Sequence, residues 1–166
     1  MPNVIADTSP LQYLHQASLL HLLPALYDHI VVPDAVAVEL ERGIFLGLSL
    51  PDVRALPWIR VERLGAAVPM PLPADFGPGE REVVALAQQT PDALALIDDA
   101  RARHYARRLG IKFTGTLGIL LKARQHAHLA AVLPAIQALE SLGFYLDPAT
   151  RAAVLRLAGE GPAPPA

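Results

Sequence analysis

Short strand-like segments alternate along this 166-residue chain with stretches at helical spacing, and that alternation limits the fold more than any other feature. Residues 3–6, 29–32, 58–62, 94–97 and 111–113 read as strands. Residues 11–23 suggest two short helices, the second running toward Tyr27, and Pro33-Asp34 opens another in which Val36 and Leu40 lie one turn apart. Residues 80–89 place Val83, Leu86 and Ala87 at i, i+3 and i+4, the spacing of one buried helix face. Residues 99–109 follow as a helix that Gly110 stops from the C′ position, and residues 117–125, 133–141 and 149–158 complete the helices. Strands and helices in this rhythm build a mostly parallel sheet, since parallel neighbours need a crossover long enough to hold a helix. The segment 58–62 is expected at an edge or outside the main parallel order. Residues 43–57 read as irregular and unusually apolar, and 68–73 as a proline-rich crossing loop.

Acidic residues recur where those strands end. Asp7 closes the first strand, Glu39 lies on the helix after the second, Glu80 starts a helix, and Asp98-Asp99 follow the fourth strand. In an open α/β sheet, side chains at the carboxyl ends of the strands share one crevice. Carboxylates gathered there repel one another and raise their pKa values unless a cation holds them. Oxygen ligands without a thiol suit Mg²⁺ or Mn²⁺. The simplest reading is a metal-dependent phosphoryl-transfer site.

The length suits one domain, expected over residues 1–160, that buries roughly 70% of its unfolded surface. A hydrophobic content of 52% excludes a disordered chain, while residues 161–166 read as a disordered Pro/Ala tail. No apolar run reaches the ~20 residues of a membrane span. The first residues lack a basic leader, and cysteine is absent, so a cytoplasmic home is expected. A net charge of −2 is not the global signature of a nucleic-acid binder. Even so, Arg101, Arg103, Arg107, Arg108 and Lys112, then Lys122 and Arg124, cluster locally and can steer a polyanion.

Taken in order, several segments carry a family resemblance: Ile5-Ala6-Asp7-Thr8-Ser9-Pro10, Val32-Pro33 followed by Glu39-Leu40, and Gly79-Glu80-Arg81-Glu82 before Ala85-Leu86-Ala87. The later ones are Ile97-Asp98-Asp99-Ala100-Arg101-Ala102-Arg103, Gly110-Ile111, Thr114-Gly115-Thr116-Leu117-Gly118 and Gly159-Glu160. From Val4 to about Glu160 the chain resembles the PIN-domain nucleases, and more narrowly the small prokaryotic PIN-like proteins related to toxin–antitoxin ribonucleases. The resemblance implies a three-layer α/β/α fold and Mg²⁺- or Mn²⁺-dependent cleavage of RNA. It also implies a homodimer and a small antitoxin partner, with no membrane role. Its catalytic and metal residues would be Asp7, Glu39, Glu80 and one or both of Asp98 and Asp99, with Asp99 favoured as ligand and Asp98 as water-bridged support. Thr8, Ser9 and Thr114 would supply hydroxyls that hold the first aspartate or a water at the metal. The chain departs from better-studied toxins in having Glu80 for an aspartate, and Asp98-Asp99 where a single aspartate is common.

Each feature has a plainer role beside this one. Asp7-Thr8-Ser9 also suits a helix cap, Glu80 a first-turn glutamate complementing the helix dipole, and Glu39 a solvated face. Arg101 and Arg103 suit either a solvated face or contact with RNA phosphate. His126 and His128, two apart, are poor joint metal ligands. Asp7-Thr8-Ser9-Pro10 is not a dinucleotide-binding glycine turn, and a phospho-acceptor domain would leave Asp7, Glu39 and Glu80 unused. The serious rival is a PIN-like module without nuclease activity. The apolar segment 44–50 is expected to meet a second subunit or an inhibitory partner.

Overall fold

A computed structural model describes residues 1–65 and 72–162. Strand β1 (Asn3–Ala6) leads into helices α1 (Thr8–Gln16) and α2 (Leu22–Leu26), then β2 (Ile30–Pro33), α3 (Asp34–Phe45) and β3 (Ile59–Glu62). After α4 (Pro78–Gln89) come β4 (Ala93–Leu96), α5 (Ala100–Arg108) and β5 (Lys112–Thr114). Helices α6 (Thr116–Gln125), α7 (Leu133–Ser141) and α8 (Pro148–Leu157) follow. The five strands form one sheet in the order β3-β2-β1-β4-β5, and every pair is parallel. With helices packed on it, the molecule is a three-layer α/β/α sandwich, and the mostly parallel sheet expected from sequence is wholly parallel.

Central strands bury all or nearly all their side chains, as a parallel sheet covered on both faces requires. Ile30, Val31, Val32 and Pro33 in β2, and Val4, Ile5 and Ala6 in β1, are all buried. Their apolar atoms meet Leu11, Leu14, Leu22 and Leu40 from the helices. Strand β3 occupies one edge of the sheet but pairs in parallel with β2, so it lies within the parallel order.

The irregular stretch does not begin at Gly43, because α3 runs through it to Phe45. Gly43 is buried against Leu50, and the real stop is Gly47. That residue takes φ +86°, donates to Ile44 O at 2.9 Å, and leaves Leu48 N to reach Gly43 O at 3.0 Å. This is the paired closure of a Schellman end. Gly110 ends α5 in the same way, with φ +69° and Ile111 N on Ala106 O. Much of the expected loop 68–73 and the last four residues of the expected tail lie outside the described residues.

Helix α7 has no capping side chain of its own. Glu160 reaches it from the end of the chain, accepting from Val132 N at 2.7 Å and Leu133 N at 2.9 Å. Those two bonds, with Arg124 beside them, hold the Glu160 carboxyl below its ordinary pKa.

Candidate active site

The strand order reverses between β1 and β4. From β1 the chain crosses toward β2 and β3, and from β4 it crosses toward β5. At such a switch point the loops leave in opposite directions and open a crevice. The parallel register sets Ala6 opposite Leu96, so Asp7, one residue past Ala6, and Asp98, two past Leu96, reach the same edge of the sheet. Asp7 N extends the ladder onto Leu96 O at 3.1 Å.

Asp7 is a buried acid at 7% exposure. Its Oδ1 accepts from Thr8 N at 2.8 Å, which starts α1, so the capping role and the site role coexist in one residue. Burial pushes its carboxyl up to about 7, against the Thr8 N–H, which lowers it. The negative charges of Glu39, Glu80 and Asp98 raise it further. Asp7 therefore feels three of the other expected acids across the crevice.

Each of the other three is tied to the start of a helix. Glu39 lies on α3, where its Oε2 accepts from Thr8 Oγ1 at 2.6 Å and its Oε1 from Gly79 N at 3.0 Å. Gly79 must lack a side chain, because a Cβ there would stand 2.8 Å from both Glu39 oxygens. Glu80 reaches back to Gly77 N at 3.2 Å, the N3 half of a capping box. Asp98 accepts from Thr116 N at 2.8 Å and Thr116 Oγ1 at 2.7 Å.

Asp98 and Asp99 part company here. Asp98 points into the crevice and is felt by Asp7. Exposed Asp99 caps α5, its Oδ1 accepting from Ala102 N at 2.7 Å. The sequence favoured Asp99 as the ligand, whereas it is Asp98 that the structure sets toward Asp7. The physical reason is that a residue directly before a helix is drawn onto its free N–H groups.

The expected hydroxyls divide as well. The Thr8 hydroxyl donates to Glu39, and it is the Thr8 backbone N–H that donates to Asp7. Ser9 is half-buried on the first turn of α1. Thr114 Oγ1 lies against the backbone of Gly118, where a Cβ would collide with it. The hydroxyl that sequence reasoning passed over is that of Thr116, fully buried and bonded to Asp98. The Thr114-Gly115-Thr116 repeat was visible, but only the helix start at Thr116 shows which threonine faces the acids.

Both expected RNA-contacting arginines are engaged within the protein. Arg101 pairs with Asp75, donates to Asp75 O at 3.2 Å, stands 3.9 Å from Glu80 and covers Phe76. Arg103 donates from Nε to Ile97 O at 2.7 Å and stands 3.9 Å from Asp98. Its guanidinium occupies the space that a Cβ on Gly115 would fill.

Oxygen-only donors around a buried carboxyl whose ionisation is pushed up to about 7 suit a hard divalent cation by their chemistry. Convergence is incomplete: among the described residues no three His, Asp or Glu side chains stand close enough to share an ion. Glu39, Glu80 and Asp98 are each held toward a backbone N–H instead.

A wholly parallel α/β sheet with acids at its switch point is consistent with a nuclease-type fold. The PIN-domain family model matches residues 3–160, and the chain belongs to that family. PIN domains are generally nucleases. A search of curated proteins returned no match to this chain. No helix among the described residues is long and apolar enough to cross a membrane.

Proposed function

We propose that this chain is a Mg²⁺- or Mn²⁺-dependent endoribonuclease, the toxin or toxin-like member of a toxin–antitoxin pair acting in the cytoplasm. The observation that carries the reading is Asp7 at the head of the parallel sheet, whose carboxyl is pushed up first by its burial and then by the charges of Glu39, Glu80 and Asp98. Asp7, Glu39, Glu80 and Asp98 would hold the ion, with Asp99 contributing chiefly as the cap of α5. A bound divalent ion would polarise a phosphodiester and lower the pKa of an attacking water. Thr8 and Gly79 N fix where the Glu39 carboxylate points, and Thr116 does the same for Asp98. Burial of Asp7 keeps bulk water from screening its charge.

The second reading, a regulatory PIN module without nuclease activity, draws on the same hydrogen bonds. Acids this well satisfied by N–H groups need no ion for structural reasons. Thermal melts with Mn²⁺ separate the two. At a hundredfold excess over Kd, binding to the folded state adds about 2.7 kcal/mol. The wild type is expected to melt higher with Mn²⁺ and Asp7→Asn to stay unmoved. Equal shifts in both would sink the metal assignment.

Assembly is the other expectation carried into this reading. Phe45 is 89% exposed, with Leu46 and Leu48 beside it, and apolar area left in water costs about 25 cal/mol per Å². In our reading this end of α3, one turn and a half past Glu39, meets a second copy or a small antitoxin. Light scattering should give a dimer for the wild type and a monomer for Phe45→Glu with an unchanged melting temperature. A wild type that stays monomeric when concentrated would remove the dimer.

A further inference from the structure

Helix α5 begins at the acidic crevice and carries Arg101, Arg103, His104, Arg107 and Arg108 with no acid among its nine residues. The first two arginines are used internally, as described above. Arg107 and Arg108 are exposed and make no ion pair with any described residue. Their place in the last turn complements the helix dipole, but the dipole does not account for how Arg107 is held. Its guanidinium lies 5.4 Å from the centre of the half-buried Phe113 ring on β5, while that of Arg103 lies 5.8 Å from the same ring.

A guanidinium within about 6 Å of an aromatic ring is attracted to the ring face while its N–H donors remain free for an anion. Arg103 and Arg107, at i and i+4, line one stripe of the helix. That stripe starts with Arg103 beside Asp98 and reaches Arg107 about 6 Å farther along, four residues on at a helical rise of 1.5 Å each. It runs beside β5, an edge strand of only three residues.

We propose that single-stranded RNA leaves the carboxylate crevice along this α5–β5 edge, with Arg107 and Arg108 contacting phosphates and Phe113 supporting the Arg107 plane. The inference rests on the nuclease reading and adds a direction to it. It also moves the RNA contacts outward from Arg101 and Arg103, whose charge is already met by Asp75, Glu80 and Asp98. RNA suits this edge better than a protein surface because the free charges are guanidiniums with no apolar patch between them, and planar forks of that kind match phosphate oxygens.

The test is binding of a fluorescein-labelled oligouridine to the full chain in EDTA, followed by anisotropy over a series of KCl concentrations. For single strands, log K changes with log salt by about 0.7 per phosphate contact. Arg107→Ala with Arg108→Ala is expected to flatten the slope by about 1.4 and weaken binding at low salt, while Arg156→Ala leaves both unchanged. Phe113→Leu, which keeps an apolar side chain in place, should weaken binding less than the double change. A double variant with the wild-type slope and affinity would overturn the track while leaving the nuclease reading intact. Absence of salt-dependent binding by the unsubstituted chain would also overturn the track, whereas the nuclease reading falls only if the chain fails to cut RNA with Mn²⁺ present.

Discussion

Without metal, the protein should lose about 4 kcal/mol of stability from Asp7 alone as the pH rises from about 4 to 7. The folded state holds the Asp7 proton up to about 7, whereas an ordinary aspartate releases it near 3.8. Between those values the folded chain binds more protons than the unfolded one, so raising the pH favours unfolding. The contribution is complete below about pH 4 and gone once the pH has passed through 7. About three pH units at 1.36 kcal/mol each set the size, as an upper figure. Asp34, Asp92, Asp147 and Glu160 have lowered pKa values and act in the opposite sense. Their stabilisation is present above the unfolded pKa and fades as the pH falls below about 4, outside this window. Asp7→Asn removes the titration and keeps the shape. Urea melts in EDTA from pH 4.5 to 7.5 should therefore show the wild type falling and the variant nearly level, with the variant the more stable at pH 7.5. Parallel curves would mean that Asp7 is not a strained acid.

The raised Asp7 carboxyl also bears on what the crevice can bind. A carboxyl that resists ionising among three other acids is stabilised in its charged form by any cation that reaches it. Stability is given up at this position in a way that a folding requirement alone does not explain, since asparagine would fill the space without the charge. Sites of that kind are where function is expected to override local stability.

How far the sequence could be read depended on how local each signal was. Strand β1 and helix α7 could be placed to the residue, the first because an apolar run ends at Asp7-Thr8, the second from its apolar spacing. Strand β3 was legible as an edge, but its parallel pairing with β2 depends on a partner far away in sequence. At the end of α3, two glycines four apart offered two stops. Only the left-handed backbone at Gly47, set by the chain's return toward Leu50, chose between them.

Within the site, residue types were legible and orientations were not. Asp7 could be read because it follows a buried strand directly. Asp98 and Asp99 are adjacent acids with the same local credentials, and the choice between crevice and cap turns on Thr116, eighteen residues from Asp98. Thr8 serves Glu39 across thirty-one residues. Gly79 and Gly115 are needed for the room they leave to Glu39 and Arg103, and nothing in the sequence marks a glycine as an absence required by a distant side chain.

The central claim is that the acids around Asp7 form an ion-dependent site for cutting RNA. Cleavage of a labelled single-stranded RNA, measured with Mn²⁺, with Mg²⁺ and in EDTA, tests it most directly. Losing a side chain that merely supports a metal ligand typically costs 10–100-fold, so loss of a ligand should cost at least about 100-fold. Gly115→Ala should also depress the rate, since its Cβ would stand 2.6 Å from Asp98 Oδ1 and displace the Arg103 guanidinium. The account predicts cleavage by the wild type only with a divalent ion, a loss of at least about 100-fold in Asp7→Asn, and retained folding in that variant. Wild-type cleavage that persists in EDTA, an Asp7→Asn variant that cuts at the wild-type rate, or a wild type that never cuts RNA would contradict it.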